Sequence, residues 1–172
     1  MKELVVVLHD IRSLHNVGSI FRTADAAGVS KIYLCGITGS PLDRFGNVRP
    51  DVAKVALGAE KTVPWEHSAR TAMALKELKK EGYRIIALEQ SKNSVPYYKP
   101  LTAYNKLALV LGNEVKGLPP SVLKAADITM EIPMRGAMVR QAHHPCRTGN
   151  GKESLNVSVA FGIAAFALVY NK

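Results

Sequence analysis

Five short runs of aliphatic residues, Leu4–Leu8, Lys31–Cys35, Arg84–Leu88, Leu107–Leu111 and Ile128–Ile132, punctuate this 172-residue chain. Each is rich in Val, Ile or Leu, the pattern of a strand buried on both faces. Helical segments separate them at Ser19–Ala27, Ser68–Glu81 and Pro120–Ala126, with Gly28 and Gly82 standing where helix-ending glycines belong. Strands alternating with helices fold as a parallel sheet covered on both faces, so the class expected is α/β. Within Ser68–Glu81 the residues Ala72, Leu75, Leu78 and, less strictly, Met73 form the expected core stripe, leaving Lys76, Lys79 and Lys80 to water.

The length fits one domain over residues 1–172, and a hydrophobic content of 47% is enough for a real core. Leu4–Leu8 and Val157–Tyr170 fall short of the about 20 apolar residues a bilayer span needs, so neither a leader nor a membrane helix is expected. Cys35 sits in a strand and Cys146 in a polar loop, which makes neither a disulfide framework nor a zinc pattern and points to a reducing cytoplasm. His143, His144 and Cys146 crowd around Pro145 without ligand spacing, so no metal is expected. Net charge is +9. An excess of that size makes nucleic acid the leading macromolecular partner, with a merely solvated basic surface as the alternative.

The segment Lys152–Tyr170 reads as an almost wholly apolar helix whose first turns carry Ser154, Asn156 and Ser158. Ser and Asn compete for backbone hydrogen bonds inside helices, so they mark either an N-cap at Ser154 or a ligand site. Three polar clusters follow strand ends, where open α/β sheets bind ligands. One runs from His9 to Gly28 and places Asn16 and Arg22 across a loop-to-helix junction. Another, G-N-E-V-K-G-L-P, lets Gly112 and Gly117 turn the backbone around Asn113 and Glu114. The third joins I-P-M-R-G to E-S-L-N-V-S. None contains a dinucleotide or P-loop glycine pattern. The stretch Gly36–Pro50 is a loop long enough to suspect of function.

N-x-G-x-I-x-R, L-G-N-E-x-x-G-L and I-P-M-x-G with E-S-L-N-V-S-V-A together resemble the three motifs of the SpoU (TrmH-like) RNA ribose 2′-O-methyltransferases of the SPOUT superfamily. The resemblance implies S-adenosylmethionine-dependent methyl transfer to a ribose 2′-hydroxyl of tRNA or rRNA, with no role for DNA or membrane. It also implies a homodimer with a C-terminal trefoil knot. It carries the polar active-site set onto Asn16, Arg22, Glu114, Ser154 and Asn156, and the grip on adenosine onto the backbone around Leu88, Gly112, Ile132 and Leu155. Deprotonating an arginine of pKa near 13.8 at neutral pH would cost roughly 9 kcal/mol, so Arg22 is read as a phosphate clamp and alkoxide stabiliser. Glu114 would order its loop or orient Arg22 or Asn16.

Arg44, Arg49, Lys54 and Lys61 are candidates for the RNA path through phosphate contacts, or are solvated charge. His9 and His15 flank the first motif as RNA contacts or as structural histidines. Between Gly136 and Lys152 the family's short connection is replaced by A-M-V-R-Q-A-H-H-P-C-R-T-G-N-G, which reads as a flexible insertion at about 137–151. That insertion keeps a second reading open, an RNA-binding relative with impaired catalysis.

Overall fold

The structure, a computed structural model, describes residues 2–99, 101, 103–134 and 154–170. Its strands are Glu3–His9 (β1), Lys31–Cys35 (β2), Trp65–Ser68 (β3), Arg84–Leu88 (β4), Val95–Pro96 (β5), Lys106–Leu111 (β6) and Ile128–Glu131 (β7). Its helices are Leu14–Ala27 (α1), Pro50–Ala56 (α2), Ala59–Thr62 (α3), Thr71–Lys80 (α4), Pro120–Ala125 (α5) and Val157–Tyr170 (α6). Among the described residues the seven strands form one parallel sheet in the order β3-β2-β1-β6-β4-β7-β5.

Pleating sends alternate residues of β1 to opposite faces. Leu4, Val6 and Leu8 join Ile20 and Phe21 of α1 and Phe161, Ala164 and Leu168 of α6 on one side. Val5 and Val7 meet Leu75 and Leu78 of α4 and Val122 of α5 on the other. The two-faced core is what the unbroken aliphatic runs require. Asp127 joins the second layer to the sheet: its Oδ2 accepts the Ile85 N–H at 2.8 Å and its Oδ1 the Lys79 ammonium at 3.1 Å. Burial opposes ionisation there, yet the Ile85 N–H and Lys79 outweigh it and hold the carboxyl below its usual range.

The structure corrects several boundaries. Helix α1 begins at Leu14 rather than Ser19, because Ser13 caps it by accepting the Asn16 N–H at 3.3 Å. Ser68 ends β3 instead of opening a helix, and the buried stripe of α4 is Thr71, Ala74, Leu75 and Leu78, with Ala72 and Met73 exposed. The two edge strands and the short helices α2 and α3 lie in stretches that carry no aliphatic run. Helix α6 starts at Val157, five residues after the expected Lys152. Asn156, not Ser154, caps it: the Asn156 Oδ1 accepts the Ser158 N–H at 2.9 Å. The expected insertion at 137–151, with His143, His144 and Cys146, lies outside the described residues, as do Arg135, Gly136, Lys152 and Glu153.

Among the described residues no helix is long and apolar enough to cross a membrane, and no cluster of His, Cys, Asp and Glu could hold a metal ion. Cys35 is a buried free thiol, pushed up to about 11 by burial.

Candidate active site

Because the strands are parallel, β1, β4, β6 and β7 end on one rim, with Leu8 opposite Leu111, Leu111 opposite Leu88 and Leu88 opposite Met130. A cavity of about 390 Å³ opens at that rim, lined by Leu88, Gly112, Ile132, Ser154 and Leu155 among others. Its volume falls in the roughly 300–1,000 Å³ span of small-molecule sites. All four residues expected to grip adenosine therefore face one space.

Gly112 is required by the shape of that wall. A Cβ there would come within 2.6 Å of the Gly117 carbonyl carbon and 2.7 Å of the Leu118 nitrogen, so no side chain fits where loop 112–118 folds back. The loop is pinned from both ends. The Asn113 Oδ1 accepts the N–H groups of Val115 and Lys116 at 3.0 Å, and its Nδ2 donates to the Asp10 carbonyl at 2.9 Å. Glu89, just past β4, accepts the Leu118 N–H at 3.0 Å.

The polar residues converge on Asn16, which is 8% exposed in the first turn of α1. Its Nδ2 donates to Glu114 Oε1 at 2.8 Å, and its Oδ1 accepts from Asn156 Nδ2 at 3.1 Å. The Asn156 Oδ1 in turn accepts the Ser158 hydroxyl at 2.7 Å. Three segments separated by 98 and 140 residues thus meet in one hydrogen-bonded chain beside the cavity. Among the described residues Glu89, Glu114 and Glu131 line the cavity, with Lys116 as the cation there. The described part of the lining is therefore acidic, which favours a ligand carrying positive charge.

The family model for the SpoU rRNA Methylase family matches residues 3–140. The chain belongs to that family. It is 34% identical to the 23S rRNA (guanosine-2′-O-)-methyltransferase RlmB of Neisseria meningitidis serogroup B, over 93% of this chain and 55% of the relative. An AdoMet-bound rRNA methyltransferase from Sinorhizobium meliloti superposes with a TM-score of 0.78 at 28% identity, covering 96% of this chain and 55% of that one. A structure described as giving insight into 2-OH methylation of C/U34 on tRNA superposes with a TM-score of 0.69 at 26% identity, covering 96% of this chain and 93% of that one. The chain spans little more than half the length of the curated RlmB relatives it matches.

In this SpoU-family chain one expected active-site residue stands apart. Asn16 and Arg22 both lie within α1, and a spacing of six residues puts Arg22 about 9 Å further along the axis and about 120° around it. Arg22 is exposed and makes no hydrogen bond or ion pair with the described residues. Ser154 lines the cavity and is itself exposed. Arg44, Arg49, Lys54 and Lys61 sit away from the cavity lining, on loop 36–50, α2 and α3. His9 hydrogen-bonds the Thr71 hydroxyl at 2.7 Å, which ties β1 to α4, and His15 is exposed. Sequence reasoning assigned no role to Glu89 or Asn113. The signal for Asn113 lay inside the second motif; that for Glu89 was its place directly after a buried strand.

Proposed function

We propose that the chain is an S-adenosylmethionine-dependent RNA methyltransferase that transfers a methyl group to a ribose 2′-hydroxyl of tRNA or rRNA. The observation that carries this reading is the convergence of Asn156, through Asn16, on Glu114, which lines a cavity walled by Leu88, Gly112, Ile132 and Leu155. The residues fit the cofactor. Leu88, Ile132 and Leu155 offer an apolar clasp for adenine, Gly112 opens the backbone to it, and Glu89, Glu114 and Glu131 suit a sulfonium.

S-adenosylmethionine supplies the electrophilic methyl group when bound. A cofactor held by the cavity wall and a ribose held beside Asn16 would be pre-positioned for transfer, and positioning of that kind supplies about 7–11 kcal/mol of barrier reduction. Glu114 is held as an oriented carboxylate by Asn16, and Asn156 locks the start of α6 against the same side chain. Arg22, exposed on α1 and without a partner among the described residues, clamps the RNA phosphate and stabilises the alkoxide developing at the 2′ oxygen.

The remaining expectations extend the same reading. A homodimer is supported by α6, which is apolar all round and leaves Val159, Phe166 and Tyr170 exposed on its outer side, with the last two rings stacked at 5.7 Å. The expected C-terminal trefoil knot involves a part of the chain that lies in part outside the described residues. A reducing cytoplasm is supported by the buried free thiol of Cys35. The test is incubation of the full chain with labelled S-adenosylmethionine and total tRNA and rRNA, followed by site mapping. Label in nuclease-resistant dinucleotides is the expected result; label in the bases, or none, would contradict it.

A further inference from the structure

Phe45 carries the most exposed aromatic ring among the described residues, with 73% of its surface open to solvent. An exposed ring on a limp loop would mean little. This loop is rigid. Leu42 and Val48 pair across it as an antiparallel bridge, and the Asp43 N–H donates to the Asn47 carbonyl at 2.8 Å. The Asp43 Oδ1 accepts the N–H groups of Phe45 at 2.8 Å and Asn47 at 2.9 Å, while Gly46 takes the positive φ of 83° that the tight tip demands. The base of the loop is bolted to the rim of the sheet. The Thr38 hydroxyl donates to the Leu8 carbonyl at 2.9 Å and accepts the Ile11 N–H at 3.1 Å, two residues on the path from β1 to Asn16.

The ring is also flanked by a cation, while the one carboxylate beside it, Asp43, is turned into the tip to hold the Phe45 and Asn47 N–H groups. The Arg44 guanidinium lies over Phe45 at 4.7 Å from the ring centroid, which occupies one face and leaves the other open. Arg49 and Lys54 follow on the same loop and on α2. A guanidinium over one face with the other face open is the arrangement on which an unpaired nucleobase stacks while phosphates pass along the neighbouring Arg49 and Lys54.

We propose that Phe45, backed by Arg44, is a stacking platform for one unpaired base of the RNA, so that the chain takes its methyl acceptor from a single-stranded loop or end. This rests on the RNA methyltransferase reading and adds to it the shape of the substrate. Phosphate contacts from Arg49 and Lys54 hold any RNA, paired or not, whereas a base can reach Phe45 only when it is free of a partner strand.

The experiment uses the full chain and two labelled probes, a 12-nucleotide oligoadenylate and a 12-base-pair RNA duplex, followed by fluorescence anisotropy at fixed salt. F45A is expected to weaken binding of the single strand about tenfold, the scale of one lost base stack, and binding of the duplex less than twofold. F45L is expected to behave as F45A, and F45W to restore affinity with its added indole quenched by the single strand. An unchanged melting temperature for F45A confirms that the fold is intact. Equal losses on both probes, no loss on either, or a change of oligomeric state in F45A would overturn the platform. Methyl transfer to tRNA and rRNA separates this inference from the reading beneath it. Wild-type transfer with an F45A KM equal to wild type sinks the platform alone, whereas Phe45-dependent single-strand binding without any transfer sinks the enzyme and keeps the platform.

Discussion

The rim around Asn16 and the loop around Phe45 are both rigid, by opposite means. At the rim, side chains from three distant segments bond one another, and the backbone of loop 112–118 closes over a glycine that admits no Cβ. At the tip of loop 36–50 the bonds are local, between Asp43 and its neighbours within four residues, and the Phe45 ring is left outside, while Thr38 ties the base of the loop to the rim. A concave site for a small molecule has to be assembled from afar. A surface for a polymer can be held by its own turn.

The comparison breaks most sharply at Arg22, which geometry assigns to neither region. Arg22→Ala is expected to cut turnover about 10²–10³-fold, the scale of losing one preorganised electrostatic stabiliser, while S-adenosylmethionine affinity stays within about threefold. Parallel loss of affinity and turnover would place Arg22 in the cavity after all.

Gly112→Ala comes next. Its Cβ would strike the backbone of Gly117 and Leu118, so we expect a destabilisation of about 1–3 kcal/mol and loss of cofactor binding, seen by melting and by calorimetry. A variant that binds cofactor normally would show that the loop has room to shift.

Asn16→Ala removes the joint between the first, second and third motifs. It leaves Glu114 and Asn156 without that partner, at a cost of about 1–3 kcal/mol in stability and with weaker cofactor binding. The loop behaves differently: Lys54→Ala is expected to weaken RNA binding alike for every sequence and to flatten its salt dependence by about one phosphate contact, with cofactor binding untouched.

The smallest effect concerns pH. The Asp127 carboxyl sits below its ordinary value in the folded state, so its contribution to stability is present above the unfolded value and is lost as pH falls through the folded one. The gap in melting temperature between wild type and Asp127→Asn should therefore be widest near neutrality and close as the solution passes below the ordinary carboxylate value of about 3.9.

Five of the seven strands were legible because a parallel strand buried on both faces has to be aliphatic throughout. The two edge strands were not. W-E-H-S of β3 leaves Glu66 and His67 exposed, and β5 is only Val95–Pro96, so neither carries the pattern of a buried strand. The start of α1 was hidden because its first turn holds His15 and Asn16, polar residues that break the apolar pattern, Asn16 being turned to Glu114 and Asn156. Leu88, Gly112, Ile132 and Leu155 share the cavity lining, a grouping that hydrophobic periodicity does not encode; the order of the motifs made it visible. The Asn16 joint is invisible to any local pattern, since it spans 98 residues to Glu114 and 140 to Asn156.

The account stands on the cavity beside Asn16 being a cofactor site. Isothermal titration of the folded full chain with S-adenosylmethionine tests it most directly. One molecule bound per chain in wild type, with binding lost in Gly112→Ala, is the result the account predicts. No measurable heat from wild-type protein that melts cooperatively would contradict it, and would leave the chain as an RNA-binding relative with impaired catalysis.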